Sequence, residues 1–148
     1  MKPHIRIQQE DFDLNDEIDA LTDGRTDIGG VASFVGVVRG DDDLQSLTLE
    51  HYPGMTEREI ASHVEEAAKR WPLLGATIIH RVGTLKPGER IVLVVTASSH
   101  RGAAFDACEF LMDYLKTRAP FWKREDRGGE GAWVAARASD DEAAKRWK

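Results

Sequence analysis

The sequence predicts an α+β fold, a mostly antiparallel sheet with helices set between its strands. Three observations carry this reading: short runs of β-branched and apolar residues, intervening segments of helical period, and links of hairpin length such as Lys86-Pro87-Gly88-Glu89. Hairpin links suit antiparallel strands, whereas a doubly wound parallel sheet needs crossovers of about a dozen residues or more. At 148 residues, 41% hydrophobic and 31% charged, the chain is expected to be a single domain over residues 1–148 with a real core. That balance excludes a disordered, collagen-like or coiled-coil chain.

His4 to Gln8 reads as a first strand, and Asp11 or Asp13 can cap a short helix carrying Phe12, Leu14, Ile18 and Leu21. Asp23-Gly24 and Gly29-Gly30 read as turns. Val31 to Val38 ends at Arg39-Gly40, the acidic run Asp41 to Asp43 follows, and Ser46 to Tyr52 resumes a strand, so this pair is expected to be a hairpin with a charged loop. After the Pro53-Gly54 turn, Thr56 and Glu59 have capping-box spacing for a helix whose stripe is Ile60, Val64, Ala67 and Trp71, ended by Pro72.

Ala76 to Leu85 and Arg90 to Ser98 read as two further strands joined by the 86–89 turn. Ser98 or Ser99 can cap the next helix, whose stripe is Ala104, Cys108, Leu111, Met112 and Leu115, and Pro120 forces its exit. Phe121 to Asp126 and Ala132 to Ala138 flank Gly128-Gly129 as a late hairpin, and Ser139 with Glu142 offers a capping box for a short C-terminal helix.

Lys and Arg number 20 against 26 Asp and Glu, and the net charge of -6 disfavours general binding to nucleic acid or anionic membranes. The longest strongly apolar stretch, Ile91 to Ala97, is far shorter than the roughly 20 residues a spanning helix takes. The N-terminal MKPHIRIQQEDFD has no apolar signal region and turns acidic; with a single cysteine, Cys108, a cytoplasmic protein is expected.

Against this acidic background, Lys116 to Arg127 holds five basic and two acidic residues, a local charge of +3 in a chain whose remainder carries -9. Cations interleaved with Phe121 and Trp122 suit a pocket for a small planar anion, and they equally suit a solvated basic face. Lys116 lies one turn beyond Met112 and Lys123 beyond the Pro120 break. If the fold brings the two ammonium groups together, repulsion and desolvation lower one pKa toward acid–base use; apart, they are surface lysines.

Ser98-Ser99-His100-Arg101 falls where a strand gives way to a helix, so backbone N–H groups, an imidazole and a guanidinium can converge on a phosphate, or the serines can simply cap. Arg39, at a strand end, is a third candidate phosphate ligand. Cys108 reads as a packed core thiol, with no His at motif spacing. His4, His51, His63 and His80 are scattered, and without CxxC, HExxH or a phosphate-binding glycine loop neither a metal site nor a cofactor is expected.

The blocks LEHYPGMTE (49–57), RWPL (70–73), IIHRVG (78–83), SSHR (98–101) and MDYLKTRAPFWKRE (112–125) resemble, in order, the large catalytic subunit of molybdopterin synthase, from about Gly30 to the C-terminal AAKRW. The resemblance implies an α/β-hammerhead fold and a sulfurtransferase in molybdenum cofactor biosynthesis. Such an enzyme converts cyclic pyranopterin monophosphate to molybdopterin by inserting two dithiolene sulfurs, without a metal. The sulfur comes as a C-terminal thiocarboxylate on a small ubiquitin-like subunit, and the family assembly is a heterotetramer built on a central dimer of large subunits.

On this chain the resemblance makes Lys116 and Lys123 the catalytic pair, and Arg39, His100 and Arg101 ligands of the substrate and its phosphate. Arg124 and Glu125 are expected to follow Lys123 along the same pocket wall, and Arg137 to reach the neighbouring subunit's site. Val37 stands where some members carry a basic residue, and the 40–43 loop is shorter and more acidic than is common. Contacts from Val37 and Val38 are therefore expected to be backbone or apolar.

The alternative from another class is a non-catalytic module that holds a phosphorylated pterin or a ubiquitin-like tail. Binding a monophosphate needs only Arg39, His100 and Arg101, so the two further lysines favour an enzyme. Single-stranded nucleic-acid binding through Phe121 and Trp122 is disfavoured by the net charge.

Overall fold

The computed structural model describes residues 1–128, the backbone of residues 131–134, and residues 143–147. In chain order the elements are β1 (His4–Gln8), α1 (Leu14–Thr22), β2 (Gly30–Val37), β3 (Ser46–His51), α2 (Met55–Arg70), β4 (Leu73–Arg81), β5 (Gly83–Leu85), β6 (Arg90–Ser98), α3 (Arg101–Thr117), β7 (Phe121–Asp126) and β8 (Gly131–Val134). The strands form two four-stranded sheets, β1-β4-β6-β2 and β5-β3-β7-β8. The fold is α+β, and all strand pairs are antiparallel except β1 with β4.

Alternation along the central strands builds two cores. Val92 and Val94 of β6 join Ile78 of β4 under Ile60, Val64 and Leu111 of α2 and α3. Leu93, Val95 and Ala97 face the other way, with Ile79 and with Phe12 and Leu21 beside α1. Helices on both faces explain why Ile91 to Ala97 is apolar without interruption. Each such fully buried aliphatic side chain contributes roughly 1.5–3 kcal/mol. Leu49 and Leu85 of the second sheet join the first core, so the two sheets share it.

Several expectations are corrected. β2 and β3 are not a hairpin: β2 pairs with β6, and β3 pairs with β5 and β7. The Val38 N–H donates to the Glu89 carbonyl and its own carbonyl accepts from the Gly88 N–H, which holds the end of β2 beside the turn that leads into β6, and left-handed Asp42 and Asp43 (φ 51° and 59°) redirect the chain to the other sheet. The strand expected over Ala76 to Leu85 divides, because Gly83 at φ 88° bends the chain out of β4 and into β5.

Caps also move. Asp13 caps α1 by accepting from the Asp16 N–H at 3.0 Å, while Phe12 precedes the helix and packs into the core. The N-cap of α2 is Gly54, whose N–H donates to Glu57 Oε2 at 3.1 Å; Thr56 is buried and donates to the Tyr52 carbonyl instead. The N-cap of α3 is His100, because Ser98 is buried and donates to the Pro72 carbonyl at 2.8 Å. Gly29 and Gly30 are close-approach positions and not turns: a Cβ on Gly29 would lie 2.1 Å from the Ser99 carbonyl oxygen, and one on Gly30 3.2 Å from the Arg101 Cα.

The late hairpin forms from β7 and β8. Gly129, Arg137, Ser139, Glu142 and the last part of the expected strand lie outside the described residues. Beyond them, Trp147 packs against Trp71 and Phe110 and its indole N–H donates to Asp113, which ties the end of the chain to α3.

Candidate active site

Only Arg118, Ala119 and Pro120 separate α3 from β7. Pro120 disfavours helix at Ala119 and lacks an N–H, so the chain reverses there. Lys116, exposed in the last turn of α3, and half-buried Lys123, third in β7, therefore flank one corner. Alternation puts Phe121, Lys123 and Glu125 on one face of β7, where the register sets Phe121 opposite His51 and Lys123 opposite buried Leu49 of β3.

Beneath that face lies His80, near the end of β4 and only 4% exposed. Its imidazole stacks on Phe121, ring centroids 4.0 Å apart and planes 23° from parallel. Its Nδ1 lies 2.9 Å from the Arg81 carbonyl oxygen. A carbonyl only accepts, so Nδ1 carries the proton and Nε2 keeps its lone pair. Burial pulls the His80 pKa down to about 3; the Arg81 bond opposes this, and the Lys123, Lys116 and His51 charges add to it. Both lysines thus bear on one neutral ring.

Glu125 pairs with Arg127 at 2.8 Å, and Arg127 also donates to the Asp41 and Asp42 carbonyls at 2.6 and 2.7 Å. Arg39, with most of its side chain exposed, meets the Asp41 carboxylate at 3.0 Å. These links tie the loop after β2 to β7 and put Arg39 at the lysine end. Val37 is exposed there, while Val38 is 4% exposed and its backbone groups bond to Glu89 and Gly88. The alternation that puts Lys123 and Glu125 on one face of β7 puts Arg124 on the opposite, exposed face.

His100 and Arg101 lie elsewhere. The β2–β6 register runs from Gly30 opposite Ser98 to Val37 opposite Arg90, so Arg39 and His100 sit at opposite ends of the same pair, about 25 Å apart for eight strand residues. α3, 17 residues long, runs back from one end toward the other over roughly 25 Å. At its start His100 and Arg101 are exposed and no side chain caps the helix, which leaves N–H groups, an imidazole and a guanidinium for an anion.

Sequence reading passed over His80. The available signal was a polar residue in β4 on the face of Ile78, in a strand otherwise apolar on that side. Cys108 is the packed thiol expected, 7% exposed, with burial pushing its pKa up to about 11. Among the described residues no three His, Cys, Asp or Glu side chains converge as a metal site, and no helix is long and apolar enough to cross a membrane.

Comparison with known proteins adds the family. A family model described as MoaE protein matches residues 7–118. The molybdopterin synthase catalytic subunit of Mesorhizobium japonicum is 59% identical over 151 aligned positions, covering 100% of this chain and 95% of that one. Among solved structures, a molybdopterin biosynthesis MoaE protein from Burkholderia ambifaria superposes with a TM-score of 0.85 at 52% identity, covering 98% of this chain and 97% of that one. A chain from the complex of subunits 1 and 2 of the molybdopterin-converting factor of Helicobacter pylori has the same fold, with a TM-score of 0.75 at 21% identity, covering 90% of this chain and 91% of that one. Identity of this order over the whole chain, on the same fold, makes this protein a member of the MoaE family of molybdopterin synthase catalytic subunits, enzymes of molybdopterin synthesis.

Proposed function

We propose that the chain, one domain over residues 1–148 working in the cytoplasm, transfers sulfur from the C-terminal thiocarboxylate of a small ubiquitin-like subunit to cyclic pyranopterin monophosphate, forming the dithiolene of molybdopterin. The observation that carries this reading is the corner between α3 and β7, where Lys116 in the last turn of the helix and Lys123 in the strand flank the Pro120 reversal. The two cations at this corner hold the anionic tail, stabilise the negative charge that develops as water takes the place of the sulfur on the tail's acyl carbon and leaves a carboxylate, and deliver or remove protons at the pterin. Arg39 and Glu125 border the same corner.

The phosphate ligands His100 and Arg101 stand about 25 Å from that corner, so one chain does not assemble the whole site. A two-fold related second copy does. It sets its own His100 and Arg101 beside the first copy's lysines, since a two-fold axis across β2 and α3 exchanges their ends. β2 is a sheet edge with Phe34 exposed on the face that carries Ala32 and α3, and Phe105 on α3 is 63% exposed, an apolar edge suited to such a copy. The resulting assembly is a central dimer with a small subunit on each outer side.

The test is an assay of the purified chain with cyclic pyranopterin monophosphate and a thiocarboxylated small subunit, scoring dithiolene product for wild type and Lys116→Ala. Product from wild type alone supports the reading. No product from wild type, with tail and pterin both bound, makes the chain a non-catalytic binding module.

A further inference from the structure

We infer that His80 is a positioning residue for the lysine pair: its ring, stacked on Phe121 and anchored to the Arg81 carbonyl, sets where β7 begins and so where the Lys123 ammonium stands relative to Lys116. This inference rests on the proposed role of the two lysines. Phe121 and Lys123 project from the same face of β7, two residues apart, so a displacement of the Phe121 ring is carried along a rigid extended segment to Lys123. The stack is the inner support of that segment, since Phe121 faces both His80 at 4.0 Å and, at a tilt of 41°, His51 at 6.3 Å.

Chemistry explains an imidazole here. The Arg81 carbonyl stands at the buried end of β4 and needs a donor, which Nδ1–H supplies. The ring must also stay uncharged, because the charges that face it are Lys123, Lys116 and His51, all of the same sign when protonated. Burial keeps it neutral, so the ring packs on Phe121 without adding a like charge to those of the lysines. His51 is held apart from this role, with its Nδ1 3.3 Å from the Thr56 hydroxyl and 3.8 Å from Glu57.

Two substitutions separate the ring from its donor. His80→Phe keeps a flat ring on Phe121 and loses Nδ1–H; His80→Asn keeps a donor near the Nδ1 position and loses the stack. With the full chain and its small subunit, His80→Asn is expected to lose on the order of 10- to 100-fold in kcat with KM within about twofold, and His80→Phe to retain most of the rate. Reductive methylation with 13C-formaldehyde gives each lysine an NMR signal on the chain alone, and the Lys123 signal should move in His80→Asn and stay in place in His80→Phe. An unchanged rate and Lys123 signal in folded His80→Asn, or an equal loss in both variants, overturns the inference. If wild type forms no product, the sulfur-transfer reading fails by itself, and the Lys123 signal still decides the role of His80.

Discussion

The His80 imidazole lies 4.0 Å from the Phe121 ring, nearly parallel to it, and joins the end of β4 to the start of β7 across the two sheets. Its folded pKa of about 3 lies below the ordinary 6.5. As pH falls from 6.5, the unfolded chain takes up a proton that the folded chain refuses, so stability is lost down to about pH 3, by up to about 1.4 kcal/mol per pH unit from this group. Urea unfolding at about pH 7 and about pH 5 should therefore show a steeper loss for wild type than for His80→Phe. Equal losses would show that His80 takes up its proton equally in the folded and the unfolded chain.

Lys116→Ala and Lys123→Ala should each lower turnover by on the order of 100-fold or more while the thermal transition stays within a few degrees, because neither side chain is fully buried. Steady-state rates and a melting curve check this together. Wild-type turnover in either variant removes that lysine from the chemistry.

A shared site predicts complementation. Arg101→Ala and Lys116→Ala are each expected to be inactive alone, yet subunits of the two, mixed and allowed to exchange, should recover up to about a quarter of wild-type activity, since half the dimers are mixed and each has one intact site. Phe105→Glu, on the exposed face of α3, should shift the proposed dimer to monomer in sedimentation. No recovery on mixing, with exchange demonstrated, would place all ligands in one chain.

Cys108 should resist thiol reagents in the native chain at about pH 8, since burial holds its pKa near 11. Cys108→Ala should keep full turnover and cost roughly 1–2 kcal/mol in denaturant unfolding. Loss of activity on replacing it would make it a reacting thiol.

Gly29→Ala should destabilise the fold by roughly 1–3 kcal/mol, because the new methyl group would meet the Ser99 carbonyl oxygen at 2.1 Å. A melting temperature equal to wild type would mean that the strand and helix start part freely.

Much of the fold was legible because it is written in local periodicity. The stripe Ile60, Val64 and Ala67 and the stripe from Ala104 to Leu115 are buried as their spacing requires, and the Pro120 break stands between α3 and β7. Caps were harder to read, since Thr56, Ser98 and Ser99 match a capping pattern whether or not tertiary packing has claimed them. Thr56 and Ser98 are both buried and bonded elsewhere.

What the sequence determined by itself is the set of elements, the family blocks and the residue types able to handle an anion, because these depend on chemistry within a few residues of one another. What only the tertiary structure decided is which of those residues meet. Strand pairing sent β2 and β3 to different sheets, set Arg39 and His100 at opposite ends of β6, and turned Arg124 away from Lys123. It also brought His80, 36 residues before Lys116, against Phe121 on the face of β7 that carries Lys123. Register and packing are long-range, and burial of shared apolar faces fixes them; no local pattern encodes them.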